Sequence, residues 1–309
     1  MKGISLTYTK IQFSLLLIFF LLDIVWIKVG SFTFYYNQNE LLYEAIFLFS
    51  LSVPYVLYKK FRPDPNIVSL LQSFFFLFSY IPIMLVLSYL VTTLNQPLVD
   101  PLLAFFDRYI GLDAPTFVVW VQTHKFAYII LVVFYNTFAL QFPCIILYLS
   151  FLGETIRLER FLMQFMIAAP LTALIAGLLP AIGPSAWYPY PSNPEILSAF
   201  KHIIELRHNI LDMTKTDGVF FFPSFHTVMA CLYVYVFKDT RKAIFIPILI
   251  MNVGLIISCI PIGQHYVLDI VGGLVIFLIT VAIEQFIFSV LKENEQEAGV
   301  RMRFSKKVS

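Results

Sequence analysis

Charge is what this chain has least of. Only 13% of its 309 residues are Asp, Glu, Lys or Arg, against 59% hydrophobic and 17% aromatic, and the mean hydropathy is +0.82. Soluble domains carry about 25% charged residues, so a water-soluble globule is excluded. The net charge of +2 is too small to imply nucleic acid as a partner. Cysteine is scarce as well: Cys144, Cys231 and Cys259 all fall in apolar stretches without paired spacing. That pattern gives neither a disulfide framework nor a zinc site, and small core residues are expected. No internal repeat and no low-complexity linker breaks the chain.

What is present is a series of long apolar runs. A helix needs about 20 apolar residues to cross a bilayer, and eight runs come near that length: about 11 to 30, 41 to 58, 67 to 94, 126 to 152, 161 to 183, 222 to 237, 243 to 262 and 266 to 290. The predicted fold class is therefore all-α, a polytopic helix bundle whose first partner is the bilayer. The first run is followed by Asp23, Trp26 and Lys28 rather than by a small-residue cleavage site, so it is expected to be a retained helix.

Orientation follows from the basic residues, because short Lys/Arg-rich loops resist translocation. With eight crossings, most of the 21 Lys and Arg residues fall on the side of the N-terminus, the loops at 59 to 66, 153 to 160 and 238 to 242, and the tail. Both termini are accordingly expected in the cytoplasm. Two segments on the other side are neither spans nor plain loops. Residues 95 to 125 hold a helix start at Asp113 with Pro115 in the first turn. Asn193, Pro194 and Glu195 open an amphipathic helix that is expected to lie on the membrane surface.

Two short stretches carry chemistry. In "PSFHT", Pro223 and Ser224 should open a helix, with Ser224 as N-cap and His226 in the first turn. In "GQHYVLDIVGG", His265 and Asp269 stand four apart and can touch. The two intervening crossings return the chain to one face, so His226, His265 and Asp269 should share a membrane depth. Asp269 can fix one tautomer of His265 and stabilise its positive charge, leaving the other nitrogen to attack phosphorus. His226 can protonate the departing oxygen and then activate an acceptor hydroxyl. Backbone N–H groups near Ser224 to Thr227 would receive phosphate oxygens. The scheme needs no metal and no cofactor. Gly272 and Gly273 are expected to permit close helix packing.

"PSFHT" and "GQHYVLDIVGG" resemble the second and third signature motifs of the type 2 phosphatidic acid phosphatase superfamily. They are more similar still to its inositol phosphorylceramide synthase and sphingomyelin synthase branch, whose third motif reads Gly-x-His-Tyr-x-x-Asp. Looser similarity to bacterial inositolphosphotransferase-like proteins runs through "DRYIGLDAPTFVVWVQTH", "LPAIGPSAWY" and "ELRHNILDMTKTDGVFFFPSFHT". The resemblance implies His265 as nucleophile, Asp269 as its orienting partner and His226 as acid and base. It implies a lipid phosphoester substrate and a hydroxyl acceptor, with water as acceptor in the phosphatase alternative. The chain then divides into first helices at 1 to 94, a catalytic membrane domain at 95 to 290 and a polar tail at 291 to 309.

The chain departs from that pattern at both usual phosphate-clamping arginines. The first motif, Lys-x6-Arg-Pro, is missing: "FRP" at 61 to 63 has Tyr55 where the lysine belongs. The third motif usually opens Ser-Arg, but Ser258 is followed by Cys259. Arg207 is the expected substitute and Lys201 the next candidate. A transporter or channel would instead show helices interrupted at the midplane, whereas the polar residues here gather at one face.

Overall fold

In the computed structural model, which describes residues 2–62, 64–188, 194–216 and 218–308, each of the eight apolar runs is a helix. In chain order the elements are α1 (Lys2–Val29), β1 (Thr33–Tyr35), α2 (Gln38–Phe61), α3 (Pro65–Thr92), α4 (Asp100–Tyr109), α5 (Ala114–Thr123) and α6 (Lys125–Phe151). They continue through α7 (Thr155–Leu178), α8 (Pro184–Trp187), α9 (Pro194–Arg207), β2 (Ile210–Asp212), α10 (Phe225–Val236), α11 (Lys242–Ser258) and α12 (Val267–Val308). The protein is an all-α membrane helix bundle, with six helices long and apolar enough to cross: α1, α2, α3, α6, α7 and α12.

The remaining two apolar helices are shorter than the runs that foretold them. α10 has 12 residues and α11 has 17, or roughly 18 and 26 Å, against about 30 Å of hydrocarbon. The helices at the runs 222 to 237 and 243 to 262 thus occupy less of the chain than hydropathy indicates. Ser224 caps α10 with its side chain, and the backbone from Cys259 to His265 leaves the helix for a tight turn. Both interruptions lie at the same end of the bundle.

Lipid tails are as apolar as leucine, so helices in a bilayer associate through close packing and polar contacts rather than through hydrophobic transfer. On α7, Ala169, Ala173 and Gly177 repeat a small residue every fourth position, and α3 lies against this stripe. A Cβ on Gly177 would come within 2.7 Å of the Val91 side chain. Polar contacts fasten the same bundle: Tyr80 Oη donates to the Met166 carbonyl at 2.7 Å, and Asn252 Nδ2 to Gln141 Oε1 at 2.8 Å.

One end of the bundle is closed by a buried charge network. Arg160 makes two hydrogen bonds to Glu284, at 2.7 and 2.8 Å, while Tyr8 and Gln164 donate to the same carboxylate at 2.7 and 3.1 Å. This network joins α1, α7 and α12. The other end carries a second core, in which Tyr89, Leu103, Ile182, Ile203, Leu206, Leu211 and Tyr266 are buried together. There β1 pairs in parallel with β2, Thr33 opposite Ile210, tying the α1–α2 connection to the segment that leads into α10.

The amphipathic helix α9 differs from expectation. Its Ile203 and Leu206 are buried in the second core, and α9 packs on α3, α8 and β2. Ile203 and Leu206 therefore meet protein, while Lys201 and His208 stay exposed. Asn193, assigned to its start, lies outside the described residues. Asp113 caps α5 as expected, accepting from Thr116 N. The three cysteines are free.

Candidate active site

The turn between α11 and α12 builds one half of the site. The Cys259 carbonyl accepts from Gln264 N at 3.2 Å and from His265 N at 3.1 Å, and Gly263 takes the positive φ of +87° that the turn requires. Ser185 braces the turn from α8, its Oγ donating to the Gly263 carbonyl at 2.7 Å. His265 thus precedes α12 instead of lying within it. Its Nδ1 lies 3.2 Å from Asp269 Oδ2, which also accepts Tyr266 N at 2.8 Å. An ionised carboxylate is acceptor only, so Nδ1 carries the hydrogen and Nε2 is the nitrogen left with a lone pair. Both side chains are buried.

α10 supplies the other half. Ser224 Oγ accepts from Thr227 N at 3.3 Å and Thr227 Oγ1 at 3.2 Å, fixing where the helix begins. Ser224 N donates to the Asp269 carbonyl at 2.9 Å, which joins the start of α10 to the first turn of α12. The approach is close because Gly273 lacks a side chain: a Cβ there would sit 2.6 Å from the Ser224 carbonyl oxygen. Ser224 is therefore occupied as a cap and brace. The first-turn N–H groups of Phe225 and His226 are the ones without an intrahelical acceptor.

His226 and His265 meet across this junction with ring centroids 5.7 Å apart and planes at 62°. The His226 ring is stacked on Tyr135 at 4.4 Å and flanked by Phe138 at 4.4 Å, so aromatic walls set its orientation. A family model described as the PAP2 superfamily matches residues 101–283, more than half of the chain. The chain belongs to the PAP2 superfamily. No curated protein and no solved structure matches it. Membership supports an enzyme of lipid phosphatase or phosphotransferase type, and the matched residues include both histidines and Asp269.

A cavity of about 450 Å³ opens beside His226. Its walls come from α3, α6, α7 and α10, with Phe78, Ala139, Phe142, Phe165 and Met229 among the lining residues. Ser88 and Thr172 also face it, but their hydroxyls donate to carbonyls of their own helices, at 2.6 and 2.9 Å. Among the described residues no Lys or Arg lines it. Such a volume and lining suit a hydrocarbon chain.

Arg207 and Lys201 are the two basic residues expected at the site. Arg207 Nη1 donates to the Gln96 carbonyl at 3.0 Å, and Lys201 is exposed on α9. Among the described residues no hydrogen bond or ion pair joins either one to His226, His265 or Asp269. Two aspartates outside the expected catalytic set do reach the site. Asp100 accepts from Ile182 N, Gly183 N and Tyr266 Oη, at 3.0 to 3.2 Å, and Asp107 Oδ1 accepts from Val267 N at 3.1 Å. Burial raises both carboxyls above the usual range; for Asp107 the value is pushed up to about 6, with the charge of Asp269 adding to the effect. The available signal was the Asp-x6-Asp spacing on a short helix, which places both on one side of α4.

Proposed function

We propose that this PAP2 member transfers a phosphoryl or phospho-headgroup group from a lipid phosphoester to a hydroxyl acceptor, through a covalent phosphohistidine at His265, in the manner of the inositolphosphotransferase-like branch. The observation that carries this reading is the junction itself. One imidazole is held by a carboxylate with its far nitrogen left over, and a second imidazole, without a hydrogen-bonding partner among the described residues, stands 5.7 Å away at the mouth of an apolar cavity.

In the first step Nε2 of His265 forms a bond to phosphorus as the bond from phosphorus to the lipid oxygen breaks, and His226 gives that oxygen its proton. In the second, His226 takes the proton of the acceptor hydroxyl, whose oxygen displaces His265 from phosphorus. Asp269 balances the imidazolium charge that accumulates between the steps. The N–H groups at the start of α10 stabilise the phosphate oxygens. Arg207 and Lys201 are the candidate cations of the phosphate site. The reading takes residues 95 to 290 as the catalytic unit and places the site on the extracytoplasmic face, with both termini in the cytoplasm; the distribution of Lys and Arg supports that orientation.

A site with few cations suits a phosphodiester, which carries one negative charge, better than a monoester approaching two. Purified protein, with and without EDTA, is to be assayed on phosphatidic acid, phosphatidylinositol and phosphatidylcholine, each with and without ceramide or diacylglycerol. The expected result is headgroup transfer from a diester, unaffected by chelator. Release of free phosphate from phosphatidic acid at an equal or greater rate would replace the transferase reading with a lipid phosphatase that uses water.

A further inference from the structure

The two buried aspartates that meet the start of α12 differ in what they are bonded to. Tyr266 N donates to Asp269 and the next amide, Val267 N, donates to Asp107. Neighbouring peptide N–H groups thus hold two carboxyls side by side. Asp107 and Asp269 are both fully buried, and each has one oxygen, Oδ2 of Asp107 and Oδ1 of Asp269, without a hydrogen-bonding partner. Two adjacent buried carboxylates repel each other strongly, so one of such a pair holds a proton. Asp269 is the one that must be ionised, because it faces the His265 imidazole.

Building on the phosphohistidine reading, we propose that Asp107 is a positioning residue that works as a neutral acid. Its Oδ1 anchors the first turn of α12, and its protonated Oδ2 spares Asp269 an adjacent second negative charge. A second charge here would raise the proton affinity of His265, the nucleophile, and repel the phosphate. Asp100 completes the support without facing the histidines. It fastens the 181–183 segment to the Tyr266 hydroxyl, so α4 grips both sides of the turn that presents His265. The groups around Asp107 agree with this assignment. α12 contributes Asp269 and Tyr266, and its own helix contributes Asp100 and the exposed Arg108. Tyr188, after α8, lies close enough to sense Arg108, Asp107 and Asp113. Burial and the charge of Asp269 push the Asp107 carboxyl up to about 6, so the neutral acid is the form present below that pH.

Asparagine reproduces a neutral acid in shape, with an oxygen for Val267 N and an N–H₂ in place of the O–H; alanine removes both. With phosphatidylinositol and phosphatidic acid in mixed micelles as substrates, Asp107→Ala is expected to lower kcat by roughly tenfold or more with little change in KM, as loss of a group that orients a reacting histidine does. Asp107→Asn should retain most of the wild-type kcat and extend activity toward higher pH. An asparagine variant as impaired as the alanine variant, or an alanine variant with wild-type kcat, overturns the proposal. Thermal unfolding in detergent gives a second readout independent of substrate. The wild type should lose stability relative to Asp107→Asn as pH rises from 3.8 through about 6, and a constant difference overturns the neutral-acid assignment. His265→Ala serves as the reference. Its retention of full activity, or no turnover of either lipid by the wild type, counts against the phosphohistidine reading, while the unfolding comparison still decides the protonation of Asp107.

Discussion

The rings of His226 and His265 lie 5.7 Å apart, centroid to centroid, although a complete helix, α11, separates them in the chain. The two helix starts that carry them are joined by a backbone hydrogen bond, Ser224 N to the Asp269 carbonyl, and approach closely where Gly273 lacks a side chain.

Removing the nucleophile should stop the reaction without disturbing the fold. His265→Ala is expected to abolish turnover and the acid-labile phosphoprotein formed from labelled donor, with an unchanged detergent elution profile. His226→Ala should still form some phosphoprotein from donors with good leaving groups, because His226 supplies only the proton. A His265→Ala protein that still becomes labelled would remove the covalent step.

If Arg207 holds a phosphate oxygen in the transition state, Arg207→Ala lowers kcat/KM by about 2 to 4 kcal/mol, the scale of a lost oxyanion donor. An unchanged rate would take Arg207 out of the site and leave it as a tie to the 95–99 connection through Gln96.

Filling the cavity should discriminate between lipids by chain length. Ala139 lines it and is exposed there, so Ala139→Trp adds bulk without overpacking a closed core. KM for long-chain donors should rise several-fold while short-chain donors keep theirs. Equal effects on both chain lengths would mean that the chain lies elsewhere.

At the far end, Glu284→Ala leaves Arg160, Tyr8 and Gln164 without their common acceptor. Breaking a buried ion pair from one side costs about 3 to 5 kcal/mol, and the lower figure is expected because the Arg160 side chain is 27% exposed. Glu284 lies roughly 23 Å along α12 from Asp269, so the loss should appear as a lowered unfolding temperature with kcat preserved at low temperature.

For Asp107 the sign follows from a folded-state value raised from 3.8 to about 6. Its contribution to stability is complete below the lower value and is lost as pH rises through the upper one. At about 1.4 kcal/mol per unit the wild type should lose about 3 kcal/mol relative to Asp107→Asn over that window, measured by chemical or thermal unfolding at fixed ionic strength.

What the sequence determined is what short-range physics encodes. Apolar runs became helices because a bilayer leaves every backbone polar group to be satisfied within its own segment. Ser224 became an N-cap because its hydroxyl reaches an amide three residues on, and Asp269, in the first turn of α12, reaches back to Tyr266 N and to the His265 that precedes the helix. The tertiary structure alone decided the rest. Hydropathy marks α10 and α11 as apolar runs, but it carries no information about where the turn at Gly263 is braced by Ser185 from another part of the chain. The moment of α9 reads the same whether its apolar side meets lipid or the second core, and only packing chose the core. Asp100 and Asp107 stand one above the other on a ten-residue helix. They are buried because their partners, Ile182, Gly183, Tyr266 and Val267, arrive from distant segments, and no local pattern in α4 encodes hydrogen bonds that form only once the bundle has closed.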